Sequence, residues 1–243
     1  MFTAWQMKHR QQFFMPLLAP GALVFDVGAN MGEFTAAFLS AGAGKVVAVE
    51  PQSDHCLHLA TAFASSIIEK KVVIKPYAAS SKPGHMRLQV SNDPQHTMST
   101  LSSTFVEVGR KNGYNWDVAA AVDVPVTTLA ALIADFGRPD FIKIDVEGHE
   151  LEVLQGLDAA VNLVSFEYNT DPQLLQAASL CVDRMCELGD YEFNFQAEAQ
   201  DMTALQFDRW VSADLIKFTL HNDIARQRRY GDVYCRLRAS GAA

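Results

Sequence analysis

The sequence predicts an α/β fold in which a mostly parallel sheet is covered by helices on both faces. Three observations predict it. Residues 23–78 read strand, helix, strand, helix, strand, the alternation expected of βαβ units. The strands are apolar at successive positions rather than at alternate ones, as strands buried on both faces are. Hydrophobic residues make up 49% of 243, enough for one large core, and no linker-like stretch divides them. A single domain, 1–243, is expected.

In chain order, residues 3–15 predict a short amphipathic helix within an N-terminal extension, 1–20, which Pro16 and Pro20-Gly21 end. Leu23–Val27 is a first strand, 31–41 a helix stopped by Gly42 and Gly44, and Lys45–Glu50 a second strand. A helix over 53–66 and a strand over 72–78 follow. Residues 85–91 suit an extra short strand. Residues 92–118 are polar and turn-rich without a clear period, and a tract of that length in one domain is expected to be a functional lid over the acceptor site. Regularity returns with a strand at 122–126, a helix at 127–136, a strand at Phe141–Asp145, a helix at 149–156 and a strand at Val161–Glu167. A helix at 172–188, a strand at 191–195 and a mainly helical 205–228 lead to Asp232–Arg238, which suits an antiparallel closing strand.

Composition narrows the partners. The net charge of −8 disfavours non-specific polyanion binding, so no nucleic-acid partner is expected. The basic residues Arg226, Arg228, Arg229, Arg236 and Arg238 near the end, against Asp223 and Asp232, read as a solvated basic face. Cys56, Cys181, Cys186 and Cys235 form no CxxC pair and have no histidine at metal-ligand spacing, so reduced thiols are expected. The opening MFTAWQMKHR lacks a signal peptide's apolar stretch and cleavage site. No apolar run reaches the roughly 18 residues that span a bilayer. A cytoplasmic protein with no membrane span is the expectation.

In such a sheet ligands bind beyond the carboxyl ends of the strands. The first turn reads Phe25-Asp26-Val27-Gly28-Ala29-Asn30-Met31-Gly32-Glu33. Gly28 and Gly32 permit a tight turn and close backbone approach, and Asp26 puts a carboxylate at the strand tip. Asn30 and Glu33 stand where a dinucleotide fingerprint needs glycine, and Glu33 at a helix start would repel a pyrophosphate. The turn suits a ligand carrying an ammonium group instead. Glu50 ends the second strand, near the roughly 20-residue spacing at which an acidic residue accepts ribose hydroxyls. A nucleoside with an amino acid in place of phosphates is S-adenosylmethionine.

The densest polar cluster is Lys143-Ile144-Asp145-Val146-Glu147-Gly148-His149-Glu150, where the fourth main strand opens into a helix. Asp145 is expected in the crevice and Lys143 in a buried ion pair; Glu147 and Glu150 suit the helix start electrostatically. His149 is the first candidate for a general base. Glu167, ending the adjacent strand, is expected beside Asp145; these carboxylates and His149 have the chemistry to orient a base, share a proton or bind a metal. No metal site is assigned, and Glu167 has Lys143 as an alternative partner.

These residues match a family. FIKIDVEGHELEVLQG (141–156) closely resembles the signature block of FkbM-type S-adenosylmethionine-dependent methyltransferases. VFDVGANMGEF (24–34) resembles that family's first motif and VAVEPQ (47–52) its second; Pro125–Leu129 and Ser165–Tyr168 fit too. The likeness runs from about residue 22 to 168 and continues more weakly to 238. It implies a class I methyltransferase (Rossmann-like) three-layer sandwich with a seven-stranded sheet ordered 3-2-1-4-5-7-6, the last strand antiparallel. It also implies methyl transfer to a hydroxyl of a sugar, glycan or secondary metabolite, so a small-molecule or glycan acceptor is the expected partner. By position, Asp26, Gly28, Asn30 and Gly32 would surround the methionine end, Glu50 the ribose, and Tyr77, Ala78 and Ala79 the adenine. Ser99-Thr100-Leu101 resembles a segment near cofactor or acceptor. Asp145, Glu167 and His149 would carry the chemistry. The 92–118 tract and the Arg-rich end depart from the pattern. The rival readings are a non-catalytic cofactor-binding interaction protein and an N-methyltransferase, although the Asp/Asn-Pro-Pro-Tyr block of many base-directed N-methyltransferases is absent.

Overall fold

The apolar stretches read as strands assemble into one seven-stranded sheet. The computed structural model describes residues 4–91, 98–116, 121–197, 204–224 and 230–239. Its elements are α1 (Ala4–Phe14), β1 (Leu23–Val27), α2 (Glu33–Ser40), β2 (Lys45–Val49), α3 (Ser53–Ala62), α4 (Ala64–Ile68), β3 (Val72–Lys75), β4 (Ala78–Ala79) and β5 (Gly84–Val90). There follow β6 (Ser99–Thr100), α5 (Ser103–Lys111), β7 (Val122–Thr127), α6 (Leu129–Phe136), β8 (Phe141–Ile144), α7 (Glu150–Gln155) and β9 (Leu163–Tyr168). The chain ends with α8 (Pro172–Leu188), β10 (Tyr191–Ala197), α9 (Ala213–Thr219), a π-helical turn (Leu220–Ile224) and β11 (Gly231–Leu237).

The main sheet runs β10-β11-β9-β8-β1-β2-β3. β1 is parallel to β2 and β8, β8 to β9 and β2 to β3, while β11 is antiparallel to both β9 and β10. This is the order and the antiparallel last strand that the resemblance implies. Strand alternation sends side chains to two separate cores. Phe25, Val27, Ile142 and Ile144 pack with α6, α7, α8 and α9. Val24, Val46 and Phe141 pack on the opposite face with Phe13 and Phe14 of α1 and Phe38 of α2. The N-terminal helix is thus part of the sandwich and fills one face of the sheet.

Several boundaries differ from the sequence reading for identifiable reasons. The helix expected over 53–66 breaks at Phe63, which lies against Gly32. The strand expected over 72–78 stops before Pro76, which has no N–H for the ladder. Ala78–Ala79 instead joins a second sheet, β4-β7-β5-β6, that the sequence did not reveal. Within 92–118, residues 98–116 are ordered rather than aperiodic: α5 starts at a Ser102 cap and buries Phe105, Val106 and Val108 with Trp116 and Leu174. Residues 92–97, 117 and 118 of that tract lie outside the described residues. The helical reading of 205–228 holds only from Ala213, because Val211 bridges to Phe193 and Asn194 ties down the backbone of Phe207. Arg226, Arg228 and Arg229 lie outside the described residues, whereas Arg236 donates to Glu192 at 2.7 Å and Arg238 lies 3.6 Å from Asp190. None of the four cysteines is in a disulfide. Among the described residues no helix is long and apolar enough to cross a membrane.

Candidate functional site

At the carboxyl ends of β1, β2 and β8 lies a cavity of about 350 Å³, within the usual size range for small-molecule sites. Its lining runs from Glu50, Pro51, Tyr77, Ala78 and Ala79 across the first turn (Gly28–Met31, Glu33, Phe34) to Asp145, Glu147 and His149. Ser99, Thr100 and Leu101 of the β6 region complete it. Of the residues singled out from sequence, Gly28, Asn30, Glu50, Ala78, Ser99, Asp145 and His149 are brought together here.

Glu50 sets one end. It is 3% exposed and accepts from the Asn30 N–H at 2.9 Å through Oε2 and from the Gln52 N–H at 2.8 Å through Oε1. Those bonds leave lone pairs on both oxygens, since a carboxylate accepts about four. Asn30 reaches Glu50 because its φ is 48°, a left-handed conformation that Asn tolerates better than most residues. Gly28, at φ 84°, passes so close to β8 that a Cβ there would run into the Asp145 carbonyl; only glycine fits between these strand tips.

Three expected residues stand elsewhere. Asp26 shares the face of Val24 and lies 1% exposed beneath the turn, accepting from Thr35 Oγ1 at 2.6 Å. Burial pushes its carboxyl up to about 6, with Lys143 and Thr35 opposing. It supports the turn from below and does not line the cavity. Gly32 caps α2 and packs on Leu59 and Phe63, also outside the lining. Glu167 lines a separate, much smaller pocket with Glu150 and Asn169; burial, then Asp145, pushes its carboxyl well above the usual range.

The opposite wall is the turn after β8. Lys143, 1% exposed, donates to Asp145 Oδ2 at 2.7 Å, the buried ion pair expected from sequence, and its ammonium lies 4.0 Å from the centre of the Phe34 ring. Burial opposes the charge on Lys143, yet Asp145, Asp232 and Asp26 together push its pKa up. Glu150 Oε1 accepts from the backbone N–H of both Val146 and Gly148, each at 3.1 Å. His149 caps α7, with Nε2 3.0 Å from Ser80 Oγ and Nδ1 3.5 Å from Glu152. Burial lowers its pKa, Glu152 opposing, so the neutral imidazole is favoured.

The wall charges are one-sided. Glu33, Glu50, Asp145 and Glu147 line the cavity, and among the described residues no lysine or arginine does. A phosphate-bearing ligand is ill-matched and a cationic one well-matched. Glu33 was legible, since a carboxylate at a helix start argues against phosphate, whereas Glu147 read only as a helix-start charge. Among the described residues no group of three or more His, Cys, Asp or Glu side chains is arranged to hold a metal ion.

Comparison with known proteins decides the family. Residues 26–209 match the model of the methyltransferase FkbM domain. The chain belongs to the FkbM methyltransferase family. The hexuronic acid methyltransferase AglP of Haloferax volcanii is 24% identical over 213 residues, 86% of this chain and 72% of that protein. The crystal structure of an FkbM methyltransferase from Methylobacillus flagellatus KT superposes with a TM-score of 0.52 at 15% identity, covering 88% of this FkbM-family chain. The match covers 43% of that longer protein, and the likeness is one of fold.

Proposed function

We propose that this FkbM-family protein binds S-adenosylmethionine and transfers its methyl group to a hydroxyl, on a sugar or glycan in the first instance. The observation that carries the reading is the pairing of a buried, backbone-held Glu50 at one end of the cavity with Asp145 and Glu147, beside His149, at the other. The ribose hydroxyls donate to Glu50, as in nucleoside sites at this strand tip. The first turn, with Glu33 and Asp145, would hold the amino-acid end and its ammonium. Tyr77, Ala78 and Ala79 flank the base. The size of the cavity and, among the described residues, the absence of lysine and arginine from its lining fit such a ligand and not a pyrophosphate.

When bound, the cofactor supplies a methyl group on a cationic sulfur. The chain's own residues hold the acceptor in line with that group and exclude water, which is where most of the rate advantage of such a displacement arises. Lys143 fixes Asp145 at the reacting end. Both ring nitrogens of His149 have partners, Nε2 in Ser80 and Nδ1 in Glu152, so in place of the general base expected from sequence we assign it as a positioning residue at the start of α7. Ser99, Thr100 and Leu101 border the acceptor side. The name of the Haloferax volcanii relative supports a sugar acceptor as the first class to examine.

The test is calorimetric titration with S-adenosylhomocysteine, followed by transfer of labelled methyl from S-adenosylmethionine to a panel of glycosides, uronates and macrolide-like alcohols. The reading expects binding and labelling at oxygen. Tight NADH binding with no S-adenosylhomocysteine binding refutes it. Label on nitrogen supports the N-methyl alternative, and binding without transfer to any acceptor supports a non-catalytic role.

A further inference from the structure

Glu147 is built into the cavity wall in an unusual way. Asn30, Lys70 and Glu147 are the non-glycine residues with positive φ among the described residues, and Asn30 and Glu147 line the cavity, facing it from two strand tips. A glutamate at φ 57° is a strained choice, kept only where its surroundings over-determine it. Here three hydrogen bonds do so. Glu150 Oε1 holds the N–H groups of Val146 and Gly148 on either side, and Thr100 Oγ1 donates to the Glu147 carbonyl at 2.6 Å. All three act on the backbone. Among the described residues no hydrogen bond or ion pair engages the Glu147 carboxyl itself.

The charges around it are mostly of its own sign. Lys143 comes from β8 and Asp145 from the turn after it, His149 precedes and Glu150 opens α7, Glu167 comes from β9, and Glu33 stands on the cavity wall from α2. Burial, then Asp145 and Glu150, pushes the Glu147 carboxyl well above the usual range, and Lys143 offsets this only in part. A cation arriving in the cavity reverses that balance.

We propose that Glu147 receives the proton of the acceptor hydroxyl, in a step coupled to the positive charge of the methyl donor; the assignment rests on reading the cavity as an S-adenosylmethionine site. A ligand with its nucleoside at Glu50 would extend across the first turn towards Asp145 and Glu147, which line the same cavity. With a cationic donor in place, Glu147 would give its proton to solvent and stand as a carboxylate. The acceptor oxygen then bonds to the methyl carbon as the carbon–sulfur bond breaks, its electron pair going to sulfur. The hydroxyl proton passes to a Glu147 oxygen. The sulfur is now neutral, so the acidic surroundings again favour protonated Glu147, and the proton is retained until the product leaves and solvent takes it.

The test needs no acceptor. Calorimetric titrations with S-adenosylmethionine and with S-adenosylhomocysteine, in buffers of different ionisation enthalpy from about pH 6 to about pH 8, count the protons released. Wild type should release up to about one proton more with the cationic ligand than with the neutral one. Glu147→Gln should abolish that difference, counted at saturation with each ligand so that a change in affinity does not enter it. If Glu147→Gln fails to fold, Glu147→Asn, which suits the left-handed backbone, replaces it. An equal proton count for both ligands in wild type, or an unchanged difference in the variant, overturns the assignment while leaving the cofactor reading intact. Binding of neither ligand refutes the cofactor reading, and the assignment with it.

Discussion

Replacing Glu150 removes the oxygen that holds both sides of the Asp145–Gly148 turn. The side chain is 6% exposed, and its Oε1 satisfies two backbone N–H groups at 3.1 Å. Burial pushes the carboxyl up to about 7, the hydrogen bonds from Glu150, Gly148 and Val146 opposing, whereas the unfolded group titrates near about 4.3. The folded state therefore binds this proton more tightly than the unfolded one. Stability consequently falls as pH rises from about 4.5 to about 7, by about 3 kcal/mol at 1.36 kcal/mol per pH unit, and levels off above. At about pH 5, where the native carboxyl is protonated, Glu150→Ala should cost about 2–4 kcal/mol for two orphaned N–H groups. At about pH 8 that gap should narrow by about 3 kcal/mol, because the ionised wild type carries the cost of burial. Glu150→Gln keeps an acceptor oxygen without the charge. It should match wild type at about pH 5 and exceed it by up to about 3 kcal/mol at about pH 8. Urea denaturation of the three proteins at both pH values measures this. A pH-independent gap, or a glutamine variant as unstable as alanine at both pH values, refutes the clamp and its electrostatics.

Other predictions follow from the same geometry. Glu50→Ala should weaken S-adenosylhomocysteine binding by about 1–3 kcal/mol in calorimetry, the range for a lost charged hydrogen bond, and should also cost about 2–4 kcal/mol of stability in denaturant titration by orphaning the Asn30 and Gln52 N–H groups. Phe105→Ala should destabilise the fold by about 3–5 kcal/mol in denaturant titration, since the ring is 8% exposed and packs against Trp116; a neutral effect would free α5 from the core. Asp26 is pushed up to about 6 by burial, so it opposes stability increasingly as pH rises from about 4 to about 6. Asp26→Asn should flatten that part of the melting-temperature profile; an unchanged slope would contradict the buried placement.

Much of the sheet was legible because its strands are apolar on both faces and punctuated by glycine and proline. Glu50 and the Lys143 ion pair were legible because a charge inside or ending an apolar strand must find a partner or a ligand. The small second sheet was not legible, and α5 was missed. β4 and β6 are two residues each, and α5 is a nine-residue helix whose apolar face, Phe105, Val106 and Val108 behind the Ser102 cap, was a readable signal passed over because its surroundings are polar and turn-rich. Asp26 was misplaced because a carboxylate near a strand tip was assumed to face the crevice, whereas alternation turns it to the side of Val24 and Thr35. The left-handed backbone of Glu147 has no sequence signal of its own, since only its neighbour is glycine.

The central claim is that the cavity between Glu50 and the Asp145–Gly148 turn holds the methyl donor. A crystal structure of the protein with S-adenosylhomocysteine tests it most directly. The ribose hydroxyls should lie within hydrogen-bond distance of both Glu50 oxygens, the base beside Tyr77–Ala79, and the sulfur facing Glu147. A ligand bound elsewhere, or with its ribose away from Glu50, would contradict it.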